Sequence, residues 1–332
     1  MRQALRYDVP DRPPASIAAF LLRWEVILVV LLLAVIAVNA AISPYFLDLD
    51  NLSDATFNFS EKAILALAMA LLIIAREIDL SVAAIIAVCS LAMGLLAKAG
   101  FGPAPLMLAG LLAGAFCGAI NGFLVTFFSL PSIVVTIGTM SLFRGLAQVV
   151  LGDSALTKYP AGFSALGQGY ILERLAIPNS FVIFLALAAV FGFVLHRTTL
   201  GRRIFAIGHN PVAARFSGVK TDKIRFFLFV VTGLMAGLAA ILLTGRIGST
   251  RPNIAQGWEL EVVTMVILGG VSISGGSGSI LGVVLSVLVL GLTTFGLSLV
   301  NVPGVVISIL LGFLLIMSIS APIIIARLKN RG

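Results

Sequence analysis

The run VILVVLLLAVIAVNAAI, from Val26 to Ile42, contains no charged residue. Nine further apolar stretches follow it, at about 63–75, 82–97, 104–128, 133–150, 180–195, 226–243, 259–273, 280–297 and 303–326. A helix that crosses the hydrocarbon core needs about 20 predominantly apolar residues. Lipid offers no hydrogen-bond partners, so a spanning segment must satisfy its own backbone, as a helix does. The expected fold is therefore all-α, a polytopic membrane helix bundle of about ten transmembrane segments. The runs at 63–75 and 259–273 are short for a span, and short or broken helices are how transporters place helix ends within the membrane.

Composition supports the same conclusion. Of 332 residues, 60% are hydrophobic and 11% are charged, against about 25% charged in soluble domains. A chain so poor in charge cannot cover itself against water. The formal charge is +8, but the basic residues sit in a few short segments between apolar runs, a pattern of membrane topology rather than of nucleic-acid binding. Arg2, Arg6, Arg12 and Arg23 precede the first run. That run is longer than the core of a cleavable signal and no small-residue cleavage site follows it, so it is expected to be retained as the first span. Between 196 and 225 lie Arg197, Arg202, Arg203, Arg215, Lys220, Lys223 and Arg225 against a single acid, Asp222, and the tail holds Arg327, Lys329 and Arg331.

By the positive-inside rule these three segments are cytoplasmic. Six spans before 196 and four after 225 satisfy that constraint. The expected layout is a cytoplasmic segment at 1–25, a transmembrane domain at 26–326 and a cytoplasmic tail at 327–332. Cys89 and Cys117 fall inside apolar runs without a His or acidic cluster nearby, so buried thiols are expected rather than a disulfide or metal site, and no cofactor. Gly110, Gly114, Gly118 and Gly122 form a stripe at four-residue spacing that reads as close helix packing.

Several polar groups interrupt this pattern. Arg76, Glu77 and Asp79 separate the second and third runs. Ionisable groups there must pair, reach water or line a cavity. One reading is a solvated turn with Asp79 or Ser81 capping the next helix; the other is a broken helix lining the translocation path. Ser141, Arg144 and Gln148 share one helical face. Arg144 either snorkels to the outer interface or contributes to a pore-lining face. With Thr136, the candidate path comprises Glu77, Asp79, Ser81, Thr136, Ser141, Arg144 and Gln148. The stretch from Gly269 to Gly278 imitates a phosphate loop, yet Gly276 stands where the lysine belongs, which argues against a nucleotide site. Its glycines read as a helix break or as close packing.

The basic segment 196–225 is the most informative. Asn210-Pro211 fits an N-cap followed by proline at the first helical position, which predicts a short helix near 211–217. A structured helix is more than a topology signal requires, and points to docking on the cytoplasmic side.

At this segment the chain resembles the ribose/galactose-type ABC sugar permeases. The resemblance runs through Gly201-Arg202-Arg203 and Ala206-Ile207-Gly208-His209-Asn210-Pro211-Val212-Ala213-Ala214. Glu77-Ile78-Asp79-Leu80-Ser81-Val82, Pro131 to Met140 with Arg144-Gly145, and Leu268 to Ser272 with Gly275 to Gly278 are similar to three further motifs of that family. Arg76 and Ala83 stand where the family usually has glycine. Asn58 to Lys62, Leu151-Gly152-Asp153 and Gly257 to Glu261 look most like rhamnose-type permeases.

The resemblance implies a subunit that works with others in the bacterial inner membrane. A periplasmic sugar-binding protein delivers a monosaccharide, rhamnose being one candidate. Two permeases, copies or paralogues, enclose the pore within membrane lipid. ABC ATP-binding subunits dock below, on Gly201, Arg202, Arg203, Gly208, Asn210, Pro211, Ala213, Ala214 and Arg215. The rival is a proton-coupled secondary transporter using Glu77 and Asp79 as titratable groups. A membrane enzyme lacks any repeated acid motif, metal cluster or activated nucleophile within the runs.

Overall fold

The computed structural model describes residues 23–172 and 176–329. The basic residues Arg2, Arg6, Arg12 and Arg331 lie outside the described residues.

A helix follows at each of the ten expected positions. They are α1 (Trp24–Ile42), α2 (Leu49–Ile74), α3 (Val82–Lys98), α4 (Pro103–Phe127), α5 (Ser132–Leu151), α7 (Asn179–Arg197), α10 (Thr221–Ile247), α11 (Trp258–Leu268), α12 (Ile280–Leu299) and α13 (Gly304–Lys329). Among the described residues, seven of these are long and apolar enough to cross a membrane. The connection between α5 and α7 carries a one-turn helix, α6 (Ala165–Gln168), and a small antiparallel ribbon, β1 (Tyr170–Leu172) with β2 (Ile177–Pro178).

The expectation of a short span at 63–75 is corrected. That run is the last half of α2, whose 26 residues at about 1.5 Å each make a rod about 39 Å long. The first half, LDNLSDATFNFSEK, is polar along one side, where Asp50, Asp54 and Asn58 are exposed, while Phe57, Phe59, Ser60 and Glu61 are buried. Glu61 is ion-paired with Arg246 of α10 at 2.8 Å, and Lys62 with Glu261 of α11 at 2.5 Å. The protein supplies what lipid cannot, and the helix runs on through the bundle centre.

The helix in the run at 259–273 is short, as its length in the sequence suggests. Helix α11 has 11 residues, starts after Gly257 and ends at Leu268. An irregular segment, 269–279, then leads back to α12.

The glycine stripe of α4 packs as read. A Cβ on Gly114 would lie 2.2 Å from the Gly233 carbonyl oxygen, and one on Gly118 would lie 2.3 Å from that of Phe229. Backbones of α4 and α10 therefore touch directly, a contact open only to small residues. Cys89 and Cys117 are both buried free thiols.

The basic segment is more ordered than the single helix expected there. It forms α8 (Thr199–His209), one residue of linker, then α9 (Pro211–Phe216). Thr198 caps α8, its Oγ1 accepting from Gly201 N–H at 3.3 Å. With only a short apolar run, Ile204 to Ile207, beside Arg202 and Arg203, this stretch looks like a loop in the sequence, while its helix needs the bundle on one side and water on the other.

Candidate functional site

Asn210 Oδ1 accepts from the N–H groups of Val212 and Ala213, both at 3.0 Å, so α9 has the expected N-cap. Pro211 follows at the first helical position, where its missing N–H costs nothing. Ala214 is buried against the bundle, and Ala213, Arg202 and Arg203 are exposed. The exposed apolar side chains are Val212, 63% accessible, and Phe216, 88% accessible. They stand four residues apart on one helical face. Motif reasoning passed over them because it weighed the small residues and the arginines. Arg215 is already engaged: its Nη2 donates to both carboxylate oxygens of Asp222, at 2.7 and 2.6 Å, and ties α9 to the start of α10.

Glycines hold this element against the core. Gly201 and Gly208 are buried. A Cβ on Gly208 would stand 1.9 Å from the Ile74 carbonyl oxygen and 2.3 Å from Gly276 N. Gly276 N–H itself donates to Ile74 O at 2.9 Å. The end of α2, the end of α8 and the glycine segment 269–279 thus meet at one point.

In the turn 76–81 Arg76 is exposed, but the two carboxylates are not solvated. Glu77 is 2% exposed and Asp79 is 0% exposed. Glu77 pairs with Arg225 of α10. Asp79 Oδ1 accepts from Ser81 N–H at 2.9 Å and from Ser81 Oγ at 2.6 Å, and Asn121 Nδ2 of α4 reaches Ser81 Oγ at 2.7 Å. Ile78 N–H donates to Ser132 Oγ of α5 at 3.2 Å, and Thr136 Oγ1 donates to Ile78 O at 3.4 Å. Glu77, Asp79, Ser81 and Thr136 are therefore brought together, as a buried weld joining the turn to α4, α5 and α10.

The polar face of α5 is not brought into that group. Arg144 Nη1 donates to the carbonyls of Pro252 and Ile254, both at 2.8 Å. It does not stand free; it pins the segment that leads into α11. Ser141 is exposed and donates to Ile137 O at 3.3 Å. Gln148 Nε2 donates to Gly152 O at 3.2 Å and lines a polar cavity of about 460 Å³ with Asp153, Arg251 and Asn253.

The same end holds two arrangements the motifs did not single out. Thr244, Ser90, Thr250 and Tyr159 form, in that order, a chain of hydroxyls with oxygen separations of 2.8, 2.6 and 2.5 Å. Glu61–Arg246 and Lys62–Glu261 are the ion pairs already described. Asn58 to Lys62 drew notice only as a resemblance, because the partners lie almost 200 residues away.

Residues 51–319 match the family model described as branched-chain amino acid transport system / permease component. The Autoinducer 2 import system permease protein LsrD of Escherichia coli strain K12 is 37% identical over 300 residues, covering 88% of this chain and 90% of that protein. The Shigella flexneri protein of the same name is similar to the same extent. No solved structure gives a significant match. The matched region takes in α9, the buried turn and the glycine segment together, and the chain belongs to the ABC-importer permease family described as branched-chain amino acid transport system / permease component.

Proposed function

We propose that this chain is the membrane-spanning permease of an ATP-driven importer for a small, neutral, polyhydroxylated molecule of the monosaccharide class. The observation that carries the reading is α9, a capped helix set against the bundle that leaves Val212 and Phe216 exposed outside the spans. An apolar pair exposed to water on a rigid element suits a groove in another protein, as the central anchors of interfaces do. The partner is the ABC ATP-binding subunit, with Arg202 and Arg203 on the flanks. A periplasmic binding protein supplies the cargo, and a second permease completes the pore. Both termini and residues 196–225 face the cytoplasm in this reading, and ATP is hydrolysed by the partner rather than by this chain.

The cargo has two candidates. The relatives' printed names specify autoinducer 2, and the rhamnose-type resemblance at Glu61, Gly152 and Trp258 suggests a deoxyhexose. Uptake of the two labelled compounds by cells carrying the whole system would separate them.

Phe216→Asp tests docking itself. The substitution lies outside lipid on a side chain that touches little, so the variant should insert and fold normally. It should lose the co-purifying ATP-binding subunit and with it ATP-dependent uptake. Normal assembly and uptake by this variant would refute the docking reading. Uptake that survives ATP depletion while the proton gradient is kept would favour a secondary transporter.

A further inference from the structure

Arg76 has a positive φ of 67°. Side chains with a Cβ visit this left-handed region at a cost that glycine does not bear. The position follows the helix end at Ala75: Arg76 N–H donates to Ile73 O and Glu77 N–H to Leu72 O, both at 2.9 Å. Such a terminus ordinarily takes glycine. A non-glycine residue held there calls for a compensating interaction.

The compensation is visible at the guanidinium. Its Nε donates to Gly208 O at 2.7 Å and its Nη2 to His209 O at 3.0 Å. Those are the last two residues of α8, whose final carbonyls have no helical partner and carry the negative end of the helix dipole. A planar cation with two forked donors suits that end closely. Asn210 alone separates this point from the docking helix α9.

We propose that Arg76 is the positioning residue that transmits the movement of α9 to the central helix α2. The proposal rests on the docking reading above and adds the direction of the force. The close contact of Gly208 with Ile74 O resists compression, so it transmits a push but not a pull, while the Gly276 N–H bond to Ile74 O ties α2 to the glycine segment and not to α8. Among the described residues, the two bonds from Arg76 are the hydrogen bonds that join the end of α2 to α8, so they bear tension. The stem of Arg76 also lies on the glycine segment, where a Cβ on Gly275 would be 2.4 Å from Arg76 Cγ. A pull received by α9 therefore reaches α2 through one side chain, and the segment after α11 follows α2 through the bond of Gly276 N–H to Ile74 O.

The test uses the complete transporter, with its ATP-binding subunits, second permease and binding protein, reconstituted in liposomes. Arg76→Gly relieves the backbone and removes the link, so a structural role and a transmitting role predict opposite things. The variant should be at least as thermostable as the parent and keep its ATP-binding subunit. Cargo moved per ATP hydrolysed should fall about tenfold, the factor that corresponds to roughly 1.4 kcal/mol of lost hydrogen bonding. Arg76→Lys, which keeps the charge but not the fork, should recover part of the loss despite retaining the backbone strain. Unchanged transport per ATP in Arg76→Gly overturns the proposal. So does a loss accompanied by lower thermal stability or by release of the subunit, since the residue would then be structural. If the parent chain itself binds no ATP-binding subunit, the docking reading fails first and takes this proposal with it.

Discussion

Helices α1 and α2 lie next to each other in the chain and have opposite relationships with their surroundings. Helix α1 has a mean hydropathy of 2.8 in its best window and is 11% buried there; α2 has 1.8 and is 89% buried. The more apolar helix faces outward and the more polar one runs through the centre. In water the order would be reversed, because apolar surface would be hidden first. In a membrane the solvent is itself apolar, so packing and polar pairing decide which helix becomes central. Hydropathy thus reports what a helix can tolerate outside it, and the ion pairs report what holds it inside.

Removing a polar anchor from α2 should have the largest effect. Glu61→Ala leaves the mostly buried Arg246 without its carboxylate partner, at a cost of about 3 kcal/mol or more. Thermal unfolding of the detergent-solubilised protein should show this, and Glu61→Ala combined with Arg246→Met should recover most of the loss. If Glu61→Ala is silent, the polar half of α2 is not held as described. The corresponding anchor on α1 is smaller. Asn39 is buried, and its Nδ2 donates to Leu292 O of α12 at 3.0 Å. Asn39→Ala should cost about 1 kcal/mol by the same measurement. The smallest effect belongs to the outward face of α1, where Leu33 is 61% exposed. Leu33→Val should change stability by less than about 0.5 kcal/mol, and a larger loss would mean that α1 carries a protein neighbour on that face.

The same contrast explains what could be read from the sequence. Spans with lipid on one side, such as α1, α4, α5 and α12, announce themselves within a residue or two, because uninterrupted apolar runs are required of them. The first half of α2 gives no such sign, since Asp50, Asn51, Asp54 and Asn58 interrupt it and the partners of Glu61 and Lys62 lie on distant helices. Asn210-Pro211 revealed α9, for a cap is local chemistry. Helix α8 was missed because its stability comes from the bundle beside it. At the candidate site the residue types were visible and their partners were not. Asn121 and Arg225, which satisfy the turn at 77–81, come 40 to 150 residues later, and Arg76 finds backbone carbonyls, which no residue pattern encodes.

The glycine contact between α4 and α10 also has a history within each molecule. Gly118 and the Gly233 backbone it touches are more than a hundred residues apart. At about 5–20 residues per second of synthesis, α4 enters the membrane on the order of ten seconds before its partner exists. During that interval its shallow groove must be filled by lipid or by the insertion machinery. Birth order therefore gives α10, the later arrival, the task of displacing a temporary occupant before the two halves of the chain can close on each other.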